Sequence, residues 1–183
     1  QTSLDEKKKI ISLFVENFLK NNEEIEEELC RQMGRPISQC SGEMRGFEER
    51  AQYMIEKSEE ALQNIVSKKD NEFDNFIAKE PLGIVFIIAP WNYPYNTSVN
   101  SIVPSLLSGN CAILKHSSQT PLCAEQLYKA AKSSGLPEGV FQFLHLDHDS
   151  TSKIIGDNRI DHVLFTGSVS GGKKVKRSIG DRF

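Results

Sequence analysis

The sequence is poor in the residues that build specialised kinds of protein. Among 183 residues there are four cysteines and one tryptophan, and the formal net charge at pH 7 is only -3. A nearly balanced charge provides no basic surface of the kind that binding to nucleic acid requires. No run approaches the roughly 18 apolar residues of a membrane-spanning helix. We therefore expect no nucleic-acid partner and no membrane insertion.

The cysteines exclude two further kinds of site. Cys30, Cys40, Cys111 and Cys123 are spaced like neither zinc ligands nor a CxxC redox pair, so we predict reduced thiols and no metal site. The first residues, QTSLDEKKKI, lack the basic and then apolar order of a secretory signal. A cytoplasmic location is the expectation that follows.

What the sequence does contain begins with helical periodicity. Apolar residues recur at helical spacing from Ile10 to Leu19, and Ile25 and Leu29 share one face amid a run of glutamates. A further helix is predicted over residues 41–66, followed by a polar loop over residues 67–75. An acidic helical module for protein interaction is one functional hypothesis for this region, although a charged helix face is usually just a solvated surface.

From residue 80 onwards, buried strands replace this pattern. Apolar runs at residues 84–90, 111–115, 140–146 and 162–166 alternate with helical stretches and turns. Such alternation is typical of βαβ units with right-handed crossovers and a parallel sheet. The predicted fold class is α/β, an incomplete Rossmann-like parallel sheet preceded by an α-helical amino-terminal segment.

We expect three parts along the chain. They are a helical amino-terminal segment over residues 1–66, a loop with a candidate oligomerisation strand over residues 67–80, and a partial dinucleotide-binding domain over residues 81–183.

The first apolar run ends in an unusual turn. Pro90 and Pro94 stop any strand ladder and fix φ on either side of Trp91 and Asn92. A neutral amide is thereby held at the carboxyl end of a core strand, which is the edge where open parallel sheets bind ligands. The NH₂ group of an asparagine can donate to an oxygen on which negative charge develops. The same side chain would also fit a residue that only caps the turn.

Four segments in one order carry a family resemblance: EPLGIVFIIAPWNYP, GNCAILKHSSQTP, GLPEGVFQFLH and HVLFTGS. Together they resemble the amino-terminal part of the aldehyde dehydrogenase superfamily, and the segment MGRPI near Met33 resembles one found ahead of its dinucleotide domain. The resemblance implies a longer enzyme with cofactor-binding, catalytic and oligomerisation parts. It also implies a small aldehyde as substrate, and GNCAILKHSSQTPLC is similar to members that act on semialdehydes.

The resemblance implies a role for each residue at the strand ends. Asn92 would be the oxyanion-hole asparagine, Lys115 would bind the adenosine ribose, and Ser168 would contact a phosphate that Gly172 allows to approach closely. Gly171 is an extra glycine, which leaves open which of the two glycines faces the cofactor. The implied cofactor-binding residues are Ala89, Pro90, Trp91, Lys115, Ser118, Gly167, Ser168 and Gly172.

Ser118 departs from the pattern of NAD-preferring members, which carry glutamate at this position. A carboxylate there would accept hydrogen bonds from the ribose 2′-hydroxyl and repel a 2′-phosphate, whereas a serine beside Lys115 tolerates the phosphate. The expected cofactor is NADP or NAD, with NADP tolerated.

By the same resemblance, the nucleophilic cysteine and the general-base glutamate belong to motifs beyond Phe183, and none of the four cysteines has a matching context. We therefore expect this chain alone to be inactive as a dehydrogenase. Three interpretations are open: an amino-terminal fragment, half of a split enzyme completed by a second chain, or a noncatalytic dinucleotide-binding remnant. Faces meant for a catalytic part would be exposed, so self-association is also expected.

Overall fold

A computed structural model describes residues 2–69 and 73–180 of the chain. Within this part, seven helices and six strands follow one another in the order α1 (Leu4–Leu19), α2 (Asn22–Met33), α3 (Ile37–Leu62), β1 (Ile65–Lys69), β2 (Asp74–Ile77), β3 (Ile84–Ile88), α4 (Pro94–Leu107), β4 (Cys111–Lys115), α5 (Leu122–Lys132), β5 (Phe141–Phe143), α6 (His148–Ile155), β6 (His162–Phe165) and α7 (Val169–Ile179). None of the helices in these ranges is both long and apolar enough to cross a membrane.

The four predicted apolar runs form one parallel sheet in the order β5-β4-β3-β6. The chain therefore moves outward from β3 to β5 and then crosses to β6 on the other side of β3. The helical connections cover both faces, which is the doubly wound arrangement. The prediction of a Rossmann-like parallel sheet preceded by helices is confirmed.

The sheet is buried between two apolar cores. Val85 and Ile87 of β3 lie in the core shared with α1 to α5, while Phe86 and Ile88 lie in a smaller core against α6 and α7. Because successive side chains of a strand point to opposite faces, a strand covered on both sides needs apolar residues at every position. This requirement explains why β3 is a continuous apolar run.

The amino-terminal helices pack directly onto the helices of the sheet. The ring of Phe18 lies 4.3 Å from that of Phe47 on α3 and 4.9 Å from that of Tyr95 on α4, measured between centroids. All three side chains are fully buried. Helix α3 is therefore in a position to support the segment that connects β3 to α4.

Two predictions about the first part of the chain are wrong in detail. Helix α3 begins at Ile37, directly after Pro36, and ends at Leu62 rather than spanning residues 41–66. Residues 67–75 are not a simple polar loop, because β1 and β2 pair there as an antiparallel ribbon, with Ile65 opposite Ile77. The β-branched residues at the predicted helix end prefer the strand to the helix. Residues 70–72 of the predicted loop lie outside the described part of the chain.

Candidate functional site

The ends of three neighbouring strands lie level at the carboxyl edge of the sheet. Ile88 at the end of β3 pairs with Lys115 of β4 on one side and with Phe165 of β6 on the other. The ladder continues for one more step, since the Ala89 N–H donates to the Lys115 carbonyl and the Thr166 N–H donates to the Ile88 carbonyl, both at 3.1 Å. Strands in a sheet are about 4.8 Å apart, so the three segments that follow emerge side by side.

The first of these segments carries Asn92. Ala89 is buried and Pro90 half-buried, after which Trp91, Asn92 and Tyr93 are exposed. Trp91 is 46% exposed, so it is not a core residue. In the described part of the chain, the Asn92 side chain forms no hydrogen bond, and helix α4 has Tyr93 rather than a side-chain acceptor at its N-cap. The asparagine therefore does not act as a turn cap, and its amide is available to a ligand.

An ion pair from the amino-terminal part of the chain contacts the backbone of this turn. Arg35, between α2 and α3, pairs with the buried carboxylate of Glu43 on α3 and donates to the Asn92 carbonyl at 2.8 Å. Sequence reasoning did not single out either residue. Each is separated by about 50 residues or more from the turn it contacts, so no local pattern could have identified the contact; the only signal was the MGRPI segment that contains Arg35.

The second segment begins with Lys115, whose side chain is largely withdrawn from solvent. The residue is 6% exposed, and burial lowers the pKa of its ammonium group. No hydrogen bond or ion pair to this group is formed by the residues that the structure describes. Burying a cation without a partner is unfavourable, and a ligand with oxygen acceptors at the sheet edge would relieve the cost. Ser118, three residues on, is exposed at the same edge.

His116 joins this second segment to the first. Its ring lies 3.4 Å from the Pro94 carbonyl through Nε2 and 3.0 Å from the Thr120 hydroxyl through Nδ1. A carbonyl can only accept, so Nε2 carries the proton and Nδ1 accepts from the hydroxyl. Burial lowers the pKa of His116 to about 4, which keeps the ring neutral at pH 7. The sequence analysis missed this link, because it depends on contacts across the edge.

The third segment is the glycine-containing turn into α7. Ser168 is the N-cap of that helix, and its Oγ accepts from the Gly171 N–H at 3.1 Å. A side chain on Gly167 or Gly171 would place its Cβ within 3 Å of the Phe165 ring, whereas one on Gly172 would be at an ordinary contact distance of 3.6 Å. The extra glycine is therefore explained by the packing of Phe165. The closer approach of a phosphate to Gly172 stays a prediction.

The cysteines lie elsewhere. All four are free; Cys40 and Cys123 are buried, and burial raises the pKa of Cys123 to about 12. Cys111 begins β4 at the opposite end from Lys115, and Cys30 on α2 packs against the main core. Cys40 and Cys123 therefore lack the exposed and electropositive surroundings that activate a nucleophile.

A cavity of about 490 Å³ lies at the amino edge of the sheet, opposite the strand ends just described. It is lined mainly by apolar side chains, including Ile11, Pro81 and Leu136, and Cys111 also lines it. None of the predicted site residues lines it. The candidate site is thus the edge with convergent polar groups rather than this cavity.

A doubly wound parallel sheet with polar groups gathered at its carboxyl edge defines a Rossmann-like fold. The chain belongs to the aldehyde dehydrogenase family, whose sequence model matches residues 1–183. It is similar to the succinate semialdehyde dehydrogenase [NAD(P)+] of Escherichia coli strain K12, with 32% identity over 87% of this chain and 34% of the relative. It is also similar to the D-glyceraldehyde dehydrogenase (NADP(+)) of Picrophilus torridus, with 32% identity over 93% of this chain and 35% of the relative.

A solved structure shows the same fold. The NAD-dependent aldehyde dehydrogenase from Sinorhizobium meliloti superposes with a TM-score of 0.89 and 27% identity, covering 97% of this chain and 36% of the other. The chain therefore spans about a third of the length of the curated relatives it matches.

Proposed function

We propose that this chain is the amino-terminal part of an NAD(P)-dependent aldehyde dehydrogenase, in which it binds the nucleotide and presents Asn92 to the aldehyde oxygen. The observation that carries the proposal is Lys115, a buried ammonium group at the end of a core strand with no partner in the described chain. A nucleotide supplies the oxygen acceptors that such a group lacks.

The residues at the sheet edge fit a dinucleotide. Lys115 would hold the adenosine ribose, and the turn from Gly167 through Ser168 into α7 would hold the pyrophosphate near the positive end of the helix. Gly172 leaves room there, and the segment from Ala89 to Trp91 would border the cofactor. The nicotinamide, when bound, supplies the acceptor for a hydride.

Asn92 would stabilise the oxygen of the aldehyde. Its side-chain NH₂ is an uncharged donor held at the ligand edge, as required where negative charge develops on a carbonyl oxygen. We place the substrate among small aldehydes, since the relatives named above are dehydrogenases of succinate semialdehyde and D-glyceraldehyde. The family thiol and base are not among the groups that this edge presents.

NADP fits the edge at least as well as NAD. Ser118 is small, uncharged and exposed beside Lys115, so it would not repel a 2′-phosphate. Relatives named for NADP(+) or for NAD(P)+ support the same assignment.

We also propose that this chain associates with further polypeptide, either a second copy or a chain that provides the catalytic thiol. The ribbon of β1 and β2 is a sheet of only two strands, and Ile65, Phe76 and Ile77 on it are all more than half exposed. Isolated ribbons of this kind are marginally stable, and exposed apolar residues favour association.

The direct test is nucleotide binding by the purified chain, followed through the fluorescence of NADPH and NADH. Replacing Lys115 with Met keeps the length of the side chain but removes the charge, so affinity is expected to fall about 10- to 100-fold, the worth of a hydrogen bond to a charged group. Lys132→Met, at an exposed position on α5, is the matched control. Equal binding by wild type and Lys115→Met would contradict the proposal.

A further inference from the structure

Two charged residues from the amino-terminal helices hold the backbone at the Asn92 carbonyl and in the first turn of α4, which follows it. Arg35 pairs with Glu43, and the second guanidinium nitrogen of the arginine donates to the Asn92 carbonyl at 2.8 Å. The same guanidinium lies over the Tyr93 ring, with 5.0 Å between its central carbon and the ring centroid. The peptide that follows Asn92 is thus fixed at its oxygen and flanked by a cation.

Glu43 holds the start of α4 at Tyr95, three residues after Asn92. One of its oxygens accepts from the Tyr95 N–H at 2.8 Å and lies 3.4 Å from the Asn96 nitrogen, in the first turn of α4. This helix has no side-chain cap of its own, so the carboxylate takes the role of the missing cap from a different helix. The residue is only 2% exposed.

Burying the Arg35–Glu43 ion pair costs free energy unless its charged groups also form hydrogen bonds to the backbone. A carboxylate buried to this extent is stable only with a cation and hydrogen-bond donors around it, and both of its oxygens are used here. The arginine is likewise mostly buried, with 13% of its side chain exposed. Ion pairs that only support a surface, such as Arg31 with Glu27 on α2, are left open to solvent at 80% and 65% exposure.

We infer that Arg35 and Glu43 are positioning residues for Asn92, fixing the peptide plane and the helix start that together aim its amide across the strand ends. The inference rests on the proposed role of Asn92, since a donor to a developing oxyanion must already be oriented before the reaction. Neither residue would touch the aldehyde or the nucleotide.

The test is nuclear magnetic resonance of the ¹⁵N- and ¹³C-labelled chain. Arg35→Lys keeps the charge for Glu43, but one ammonium group cannot also reach the Asn92 carbonyl and stack on Tyr93. We expect the carbonyl and side-chain amide resonances of Asn92 to move, with the overall spectrum preserved. Glu43→Gln should speed hydrogen exchange at the Tyr95 amide about tenfold or more.

The controls are Arg31→Lys and Glu27→Gln, the same chemical changes in an exposed pair, which should leave the Asn92 and Tyr95 signals in place. Unmoved Asn92 resonances in folded Arg35→Lys would overturn the inference, even if Glu43→Gln does not fold. NADPH affinity of Arg35→Lys should stay within about twofold of wild type, because neither Arg35 nor Glu43 forms a hydrogen bond or ion pair with Lys115 or Ser168 in the described chain. Failure of the wild type to bind NADPH would instead reject the proposed function, while the Asn92 signals still report on the pair.

Discussion

Ser118 offers the sharpest test of cofactor choice at a single position. It is exposed, uncharged and only three residues after the buried Lys115. In Ser118→Glu, a carboxylate would accept from the ribose 2′-hydroxyl and repel the phosphate. The ratio of NADPH to NADH affinity is expected to fall about tenfold or more, as measured by fluorescence titration. Ser118→Gln, which has the same length without the charge, should change the ratio little; an unchanged ratio in the glutamate variant would argue against this edge as the ribose site.

His116 makes the stability of the fold depend on pH. Burial lowers its pKa from the usual 6.5 to about 4, so the unfolded chain takes up a proton more readily than the folded chain does. The stabilisation is complete above pH 6.5 and is lost as the pH falls from there towards 4. From this residue, the free energy of unfolding in urea should drop by about 2 kcal/mol between pH 7.5 and pH 5.

The control for this prediction is another histidine. His116→Gln should remove most of the slope, whereas His148→Gln, at an exposed position in α6, should retain it. A pH dependence that is the same in wild type and His116→Gln would show that the buried ring does not titrate on unfolding. The same measurement at pH 7.5 gives the cost of losing the contacts with Pro94 and Thr120.

The alignment of β3 with β6 depends on a close approach at their amino ends. The Asp161 carboxylate accepts from the Ile84 N–H at 2.7 Å and occupies the space beside Gly83, where a Cβ would come within 2.1 Å of it. Gly83 also has φ of 121°, which is unfavourable for any other residue. Gly83→Ala should therefore reduce the free energy of unfolding by about 2 to 4 kcal/mol.

Gly139→Ala separates the two causes of this loss. Gly139 has φ of 86°, but no heavy atom lies within 4 Å of the place that a Cβ would occupy, so its replacement tests backbone strain alone, at about 1 kcal/mol. Urea unfolding of both variants gives the difference that belongs to Asp161. Equal losses would mean that the carboxylate moves aside without cost.

The strands of the four-stranded sheet were predictable because buried strands are continuous apolar runs in the sequence. The strand β4 was predicted with its observed limits, since the run from Cys111 to Lys115 is apolar until the lysine that ends it. The ribbon was not, because β1 and β2 are exposed and have mixed polar and apolar residues, so pairing rather than burial defines them. Helix α6 was missed for a similar reason: in its eight residues only Thr151 and Ile155 are buried.

The residues of the candidate site also fall into a predictable and an unpredictable group. Asn92, Lys115 and Ser168 follow apolar runs directly, so their common edge follows from the parallel topology. Arg35 and Glu43 reach that edge from another helix. Contacts of this kind depend on how α3 packs against α4, which no periodicity in either segment determines.

The molecule as a whole combines a candidate nucleotide-binding edge with two thiols that are buried in its main core. Cys40 and Cys123 are buried in the main core, where burial raises the pKa of both thiols. A thiol that stays protonated and enclosed contributes to packing rather than to chemistry. We therefore expect the chain to bind a nucleotide without being able to attack an aldehyde.

A turnover assay of the purified chain tests the expectation that it has no dehydrogenase activity. With NADP⁺ and a small aldehyde, we expect no reduced nicotinamide to form, because Cys111 lies at the far end of β4 from Lys115 and Cys30 packs against the core. Nicotinamide absorbance measures the product, and NADPH binding by the same preparation shows that the protein is folded. Turnover that disappears in Cys30→Ser or Cys111→Ser would instead assign the nucleophile to this chain.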